Sequence, residues 1–93
     1  MNNLAWILAT SKNPAVRDAK RAMVFAEKEC ERTNWTDAAT LDTIAAAYAA
    51  SNNFEKAIEM QQKAISLNKV PDRQSGFEKR LRIYQSGKPL VEE

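Results

Sequence analysis

The stretch 38–69 reads AATLDTIAAAYAASNNFEKAIEMQQKAISLNK, and its pattern determines which fold the sequence predicts. Apolar residues recur in it at three- and four-residue steps, which is the spacing of one face of an α-helix. The large ones are Leu41, Ile44, Tyr48, Phe54, Ile58, Ile65 and Leu67. Gln61 is a polar interruption of the second run. Asn52 and Asn53 separate the two runs, and asparagine tolerates the left-handed backbone of a tight turn. The stretch therefore predicts two antiparallel helices joined by a short turn.

The same helical spacing extends over the rest of the chain. It predicts five helices, at about residues 2–10, 15–33, 38–51, 54–68 and 73–86. The sequence contains two glycines and three prolines, and no segment alternates polar and apolar residues as a half-buried strand does. We therefore predict an all-α fold.

Capping residues stand at the predicted starts of the second and third helices. Asn13 followed by Pro14 predicts the start of the second helix, because asparagine is a good N-cap and proline fits the first helical turn. Thr36 or Asp37 is expected to cap the third helix, since both side chains can accept a hydrogen bond from an unpaired backbone N–H.

The fifth helix has signals at both ends. Its start is predicted by the stretch SGFE at 75–78, which has capping-box spacing, with Asp72 as an alternative, earlier start. Its end is predicted by Gly87, which is followed by Pro89, because glycine commonly closes a helix and proline cannot continue it.

Length and charge limit the possible functions. A chain of 93 residues forms one small domain. Its net charge of +2 is too small to indicate a nucleic-acid partner. The sequence lacks an apolar run of the roughly 18–20 residues that a membrane span requires, and the short apolar stretch 4–9 has no basic residues before it, as a signal peptide would. We therefore expect no nucleic-acid or membrane partner, with the cytoplasm as the default location.

The residue types that catalysis and metal binding require are scarce. The chain has no histidine, the usual general base at neutral pH and the commonest metal ligand. The single cysteine, Cys30, lies on the apolar stripe of its helix and is expected to be a buried structural thiol. The carboxylate pairs Asp37/Asp42 and Glu55/Glu59 are expected on hydrophilic helix faces or at caps. We therefore predict no enzyme activity, no catalytic, cofactor-binding or metal-binding residue, and no small-molecule substrate.

The chain contains an internal repeat. Aligning Ala5 with Ala45 matches NLAWILA at 3–9 with TIAAAYA at 43–49, at an offset of 40 residues. Ala22 then pairs with Ala57 at an offset of 35 residues, so the first hairpin has a longer loop. Self-similarity of this kind is typical of repeat architectures. We interpret the chain as two helical hairpins followed by one further helix.

The second hairpin resembles a tetratricopeptide repeat, and the first resembles the same family with more departures from its pattern. The family's large, small and aromatic positions are matched by Leu41, Ile44, Ala45, Tyr48, Phe54, Ala57, Ile58, Ala64, Ile65 and Leu67 in the second hairpin. They are matched by Leu4, Ala5, Leu8, Ala22 and Ala26 in the first. The resemblance covers about residues 2–88 and divides the chain into repeat 1 at 1–33, repeat 2 at 37–70, a capping helix at 72–87 and a tail at 88–93. As a whole the chain is similar to the carboxy-terminal end of longer bacterial proteins with these repeats.

The resemblance implies a right-handed stack of helix pairs in which the first helix of each pair lines a concave groove. Carried over by alignment, the groove residues are Asn2, Asn3, Trp6, Ala9, Thr10, Asp42, Thr43, Ala46, Ala49 and Ala50. Asparagine can hydrogen-bond an extended peptide, and Trp6 offers an apolar anchor. The groove contains no basic residue, and Asp42 would oppose an acidic ligand. The alternative is that these positions are plain surface or contacts with a neighbouring repeat.

The function that the resemblance implies is protein–protein interaction or scaffolding, with a protein or peptide partner. The first helix is short and apolar, and an isolated helix of that length is unstable in water. We therefore expect further repeats, a second copy of the chain or a partner to cover it, unless Trp6 folds into the core. The alternative function is an architectural end-cap of a longer repeat array, or a homodimerisation unit that self-associates through the first helix.

Overall fold

The computed structural model describes residues 4–13 and 15–91, in which it contains five α-helices and no strand. The helices are α1 (Leu4–Thr10), α2 (Ala19–Arg32), α3 (Ala38–Ala50), α4 (Phe54–Leu67) and α5 (Pro71–Gln85). The all-α prediction is confirmed. Within the described stretches, every helix falls short of the length and apolar character needed to cross a membrane.

The start of α2 differs from the prediction by four residues, because Asp18 rather than Asn13 caps the helix. The Asp18 carboxylate accepts a hydrogen bond from the Arg21 N–H at 3.2 Å. Asn13 instead closes a turn, in which its carbonyl accepts two backbone hydrogen bonds of 3.0 Å. The Asp18 N–H donates to the carbonyl of Leu8 at 2.8 Å. This contact with α1 holds Asp18 in place, so tertiary structure determines which of the two caps is used.

The start of α5 also differs from the prediction. The helix begins at Pro71, and its N-cap, Val70, makes no side-chain cap hydrogen bond. Proline suits the first helical position because it lacks an N–H that would need a partner and its φ is already helical. The Asn68 side chain orders the junction, accepting from the Val70 N–H at 3.1 Å and donating to the Val70 carbonyl at 2.9 Å. The stretch 75–78 lies inside the helix, so the capping-box prediction is wrong.

The turns predicted at Asn52 and Gly87 are confirmed. Asn52 has a φ of 64° and Gly87 a φ of 75°, both in the left-handed region. Asp37 caps α3 through its carboxylate, which is one of the two caps predicted there. The sequence did not indicate the left-handed pair Asn34 and Trp35, with φ values of 56° and 58°, which turns the chain from α2 into α3.

Helix α3 lies at the centre of the fold. Each helix packs against the next helix along the chain, and α1 packs against α3 as well. Ten of the thirteen residues of α3 are therefore buried. The neighbouring helices approach closely through fully buried alanines, which are Ala22, Ala26, Ala57 and Ala64. A helix surrounded in this way buries polar positions as well as apolar ones.

Candidate partner-binding surfaces

The structure places most of the predicted groove residues inside the fold. The buried ones are Ala9, Thr10, Asp42, Thr43, Ala46 and Ala49. Trp6 and Ala50 are half-buried, whereas Asn2 and Asn3 lie outside the described residues. These faces of α1 and α3 therefore lie largely against other parts of the chain itself.

Asp42 is the centre of a buried polar cluster, which we call the Asp42 cluster and which consists of Trp6, Asp42, Gln61, Phe77 and Arg80. The expectation that Asp42 lies on a hydrophilic helix face is wrong, because its side chain is fully buried. Arg80 of α5 donates from Nε to Oδ1 at 2.9 Å and from Nη2 to Oδ2 at 3.0 Å. This two-pronged geometry is the strongest form of a side-chain ion pair. It neutralises a carboxylate that the central position of α3 removes from water.

Gln61 of α4 is the second side chain that holds Asp42. Its Nε2 donates to Asp42 Oδ1 and to the carbonyl oxygen of Phe77, in both cases at 3.0 Å. Gln61 is fully buried. The polar interruption in the apolar stripe of α4 was therefore the sequence signal for this contact, although it named no partner. Together Asp42, Gln61 and Arg80 connect α3, α4 and α5.

Arg80 lies close to two aromatic rings as well. Its Cζ atom is 5.2 Å from the centroid of the Trp6 ring and 5.5 Å from that of Phe77, distances at which a cation is attracted to an aromatic ring. The Arg80 side chain is 21% exposed, so part of it reaches the surface. Trp6 packs against both apolar clusters of the core. Trp6 is therefore an internal contact that joins α1 to α5.

A pocket of about 400 Å³ opens between α3 and α5 beside this cluster. Its lining consists of Ala39, Asp42, Arg73, Phe77 and Arg80. Helix α5 thus places the guanidinium groups of Arg73 and Arg80 beside Ala39 and Asp42 of α3. The groove predicted from the sequence contained no basic residue. The prediction missed these arginines because it assigned the groove to α1 and α3 alone.

The segment 88–91, which follows α5 and which we call the strap, returns to the core. Leu90 is 6% exposed and belongs to a cluster of buried residues whose other members are Ala45, Ala49, Ala57 and Tyr84. Trp6 packs against the same cluster. Of the other strap residues, Pro89 is half-buried, and Lys88 and Val91 are exposed. A single apolar residue in a non-helical segment has no periodicity, so the sequence did not indicate its burial.

A second surface lies where α1 and α2 form one end of the fold. We call it the end face and define it by Leu4, Ile7 and Phe25. Leu4 is 49% exposed and Ile7 is 44% exposed, although both are large and apolar. A notch of about 320 Å³ lies between the two helices, lined by Leu4, Ala5, Phe25, Lys28 and Glu29. The lining of the notch therefore combines apolar side chains with the two charged residues Lys28 and Glu29.

Cys30 is a buried thiol, as the sequence predicted. It is fully buried, and its Sγ donates to the carbonyl of Thr40 at 3.7 Å. Burial raises the pKa of the Cys30 thiol to about 11, so the thiol is protonated at neutral pH and is a poor nucleophile. In the part of the chain that the structure describes, histidine, cysteine, aspartate and glutamate side chains form no group of three or more that could hold a metal ion.

Comparison with known proteins identifies no relative of this chain. No protein-family model, no curated protein and no solved structure matches it. The resemblance to tetratricopeptide repeats is therefore carried by the residues quoted above and stays a prediction.

Proposed function

We propose that this chain is a protein–protein interaction or scaffolding module of the tetratricopeptide type, without catalysis of its own. In this proposal the end face stacks against a further helical hairpin of the same kind. The module then continues a repeat array, in which its own two hairpins and α5 follow the added hairpin.

The observation that carries the proposal is a difference in burial between equivalent positions of the internal repeat. Leu4 and Ile7 align with Ile44 and Ala47 at the offset of 40 residues. Ile44 and Ala47 are fully buried, in a cluster that includes residues of all five helices. Leu4 and Ile7 are about half exposed. Because neighbouring repeats bury each other's apolar faces, Leu4 and Ile7 are suited to burial against another hairpin, as the equivalent positions of α3 are buried inside this fold.

The shape and charge of the end face fit a helix. Side chains of one helix pack into the grooves of its neighbour, and the notch between α1 and α2 offers such a groove. Lys28 and Glu29 in its lining carry opposite charges. Complete burial of a leucine or isoleucine side chain is worth about 1.5–3 kcal/mol. Completing the burial of Leu4 and Ile7 is therefore worth about 2 kcal/mol in total.

The proposal of a non-catalytic role is supported by the state of the reactive groups. The Cys30 thiol is buried, and burial raises its pKa to about 11. Asp42 already accepts hydrogen bonds from Arg80 and Gln61. Neither side chain is poised to attack a substrate or to exchange protons with one.

The test adds the hairpin that the proposal requires. An extended chain carries a second copy of residues 36–70 directly ahead of residue 1, and urea unfolding is followed by circular dichroism. We expect the extended chain to unfold in one transition at a higher urea concentration than the original chain. We also expect Ile7→Asp to cost about 2 kcal/mol more in the extended chain, because the new interface would bury the aspartate.

The matched control is Val70→Asp in the original copy of the sequence, because Val70 is 41% exposed but lies between α4 and α5. Its effect should be the same in both chains. The proposal fails if the added hairpin unfolds separately and Ile7→Asp has equal effects in the two chains. A dimer of the original chain that Ile7→Asp dissociates, measured by light scattering, would replace the added hairpin with a second copy as the occupant of the end face.

A further inference from the structure

We propose that the strap is an internal occupant of a peptide-binding site, and that its release lets the site take an extended segment of a partner protein with one bulky aliphatic side chain. The site, which we call the strap site, consists of Ala45 and Ala49 on α3, Tyr84 on α5 and Trp6 on α1. It lies on a different surface from the end face, so this inference does not depend on the proposed stacking of a further hairpin.

The strap is held by few contacts, which centre on Leu90. Leu90 is 6% exposed and Pro89 before it is half-buried, whereas Lys88 and Val91 are exposed. The Lys88 N–H donates to the carbonyl of Ile83 at 3.3 Å, and no later strap residue makes a backbone hydrogen bond to another described residue. Pro89 has no N–H to donate. The strap is therefore anchored through Leu90, with Pro89 half-buried beside it, and the same two residues on another chain can compete with it.

The residues of the strap site are small or aromatic. Ala45 and Ala49 are fully buried, and their small side chains leave room for a leucine beside them. Tyr84 is fully buried in the same cluster, and Trp6 packs against it. These small and aromatic side chains make the strap site apolar, so it suits an aliphatic side chain. The strap itself shows that the strap site accepts leucine in an extended segment.

The strap can open without unfolding a helix. It leaves α5 through Gly87, which has a φ of 75° and has open space around the position of an added Cβ. Glycine permits the backbone rotation that such a hinge needs. The burial of one leucine favours the closed state by roughly tenfold to a hundredfold. A partner segment therefore binds the wild-type chain more weakly, by the same factor, than it binds a chain whose strap has lost its anchor.

The experiment uses the full chain and the synthetic peptide SGKPLV, which repeats residues 86–91. Binding is followed by NMR chemical shifts of the α3 and Trp6 amides in wild type, in Leu90→Ala and in the matched control Val91→Ala, which alters an exposed strap residue. We expect the peptide to bind Leu90→Ala at least tenfold more tightly than the other two chains. The peptide SGKPAV, in which the anchor is removed, should not bind to any of them.

Equal affinity for all three chains, or no binding to Leu90→Ala at peptide concentrations of several millimolar, overturns the proposal. A second measurement on the wild-type chain guards against a Leu90→Ala variant that fails to fold. Chymotrypsin can cleave after Leu90 only when this side chain leaves the core. We expect that cleavage to precede any cleavage within the helices, and cleavage that occurs only together with global unfolding would also overturn the proposal.

Discussion

Replacing Arg80 by methionine tests the Asp42 cluster most directly. The substitution keeps an unbranched apolar stem but removes both hydrogen bonds to the Asp42 carboxylate, at 2.9 and 3.0 Å. The carboxylate then stays fully buried with Gln61 as its remaining side-chain donor. A buried charge without a counter-charge is strongly destabilising, because water no longer compensates it.

The expected cost can be worked from the geometry. Removing one partner of a buried ion pair costs about 3–5 kcal/mol. The Arg80 side chain is 21% exposed, so water can reach part of the space that the substitution vacates. We therefore expect a cost at the lower end of that range, about 3 kcal/mol. A domain of this length has a total stability of about 5–14 kcal/mol. The midpoint of thermal unfolding should fall by about 12–24 °C, at about 4–8 °C per kcal/mol.

The measurement is urea and thermal unfolding followed by circular dichroism, with Arg82→Met as the control on the same helix. Arg82 is exposed, so its replacement should leave the midpoint almost unchanged. The double variant Asp42→Leu/Arg80→Met should recover at least half of the lost stability, because an apolar pair in place of a buried ion pair is often neutral or stabilising.

A loss of less than 1 kcal/mol for Arg80→Met, or a double variant that is less stable than the single one, would refute this account of the cluster. The first result would mean that the carboxylate is hydrated or otherwise compensated without Arg80. The second would mean that the charge of Asp42 stabilises the fold by some contact other than the ion pair.

Three further predictions concern single positions. Burial raises the pKa of the Cys30 thiol from 9.0 to about 11, so between these two pH values the unfolded chain ionises the thiol and the folded chain does not. The free energy of unfolding should therefore fall as the pH rises from about 9 to 11. Cys30→Ala should lack this part of the fall, as shown by urea midpoints measured at several pH values. Gly87→Ala should cost about 1 kcal/mol of stability, because Gly87 has a positive φ. Gly76 lies inside α5, where an added Cβ would make only ordinary contacts, so Gly76→Ala should be neutral or stabilising in the same unfolding assay. Asp37→Ala should cost about 1 kcal/mol through the lost cap of α3, and Asp37→Asn should restore most of this loss in thermal melts.

The helices could be predicted from the sequence because helical spacing depends on side chains only three or four positions apart. The predicted ranges 38–51 and 54–68 differ by one residue each from α3 and α4. The start of α2 could not be predicted in the same way. Asn13 and Asp18 are both good caps, and the hydrogen bond from Asp18 to Leu8 of α1 favours the second. That bond exists only when α1 and the loop have folded together.

The candidate surfaces were less predictable than the helices. Trp6 packs against the core, which is the alternative that the sequence left open for the first helix, whereas Leu4 and Ile7 stay about half exposed. That something covers these two side chains stays a prediction. The strap was not foreseen, because one leucine after Gly87 and Pro89 gives no pattern. The groove residues were assigned by resemblance, and nothing in their local sequence showed that Arg80 of α5 would pair with Asp42 of α3.

The sequence by itself determined the number of helices, the turns at Asn52 and Gly87, and the internal repeat, because each of these depends on the backbone preferences and spacing of near neighbours. Tertiary structure alone decided that Asp42 is buried, that its counter-charge is Arg80, which is 38 residues away, and that Leu90 fills a seat on α3. A helix between several neighbours has no solvent face, so an aspartate that looks like a surface residue needs a partner from a distant part of the chain. Which residue supplies that partner depends on where the helices pack, and the local sequence around Asp42 carries no trace of it.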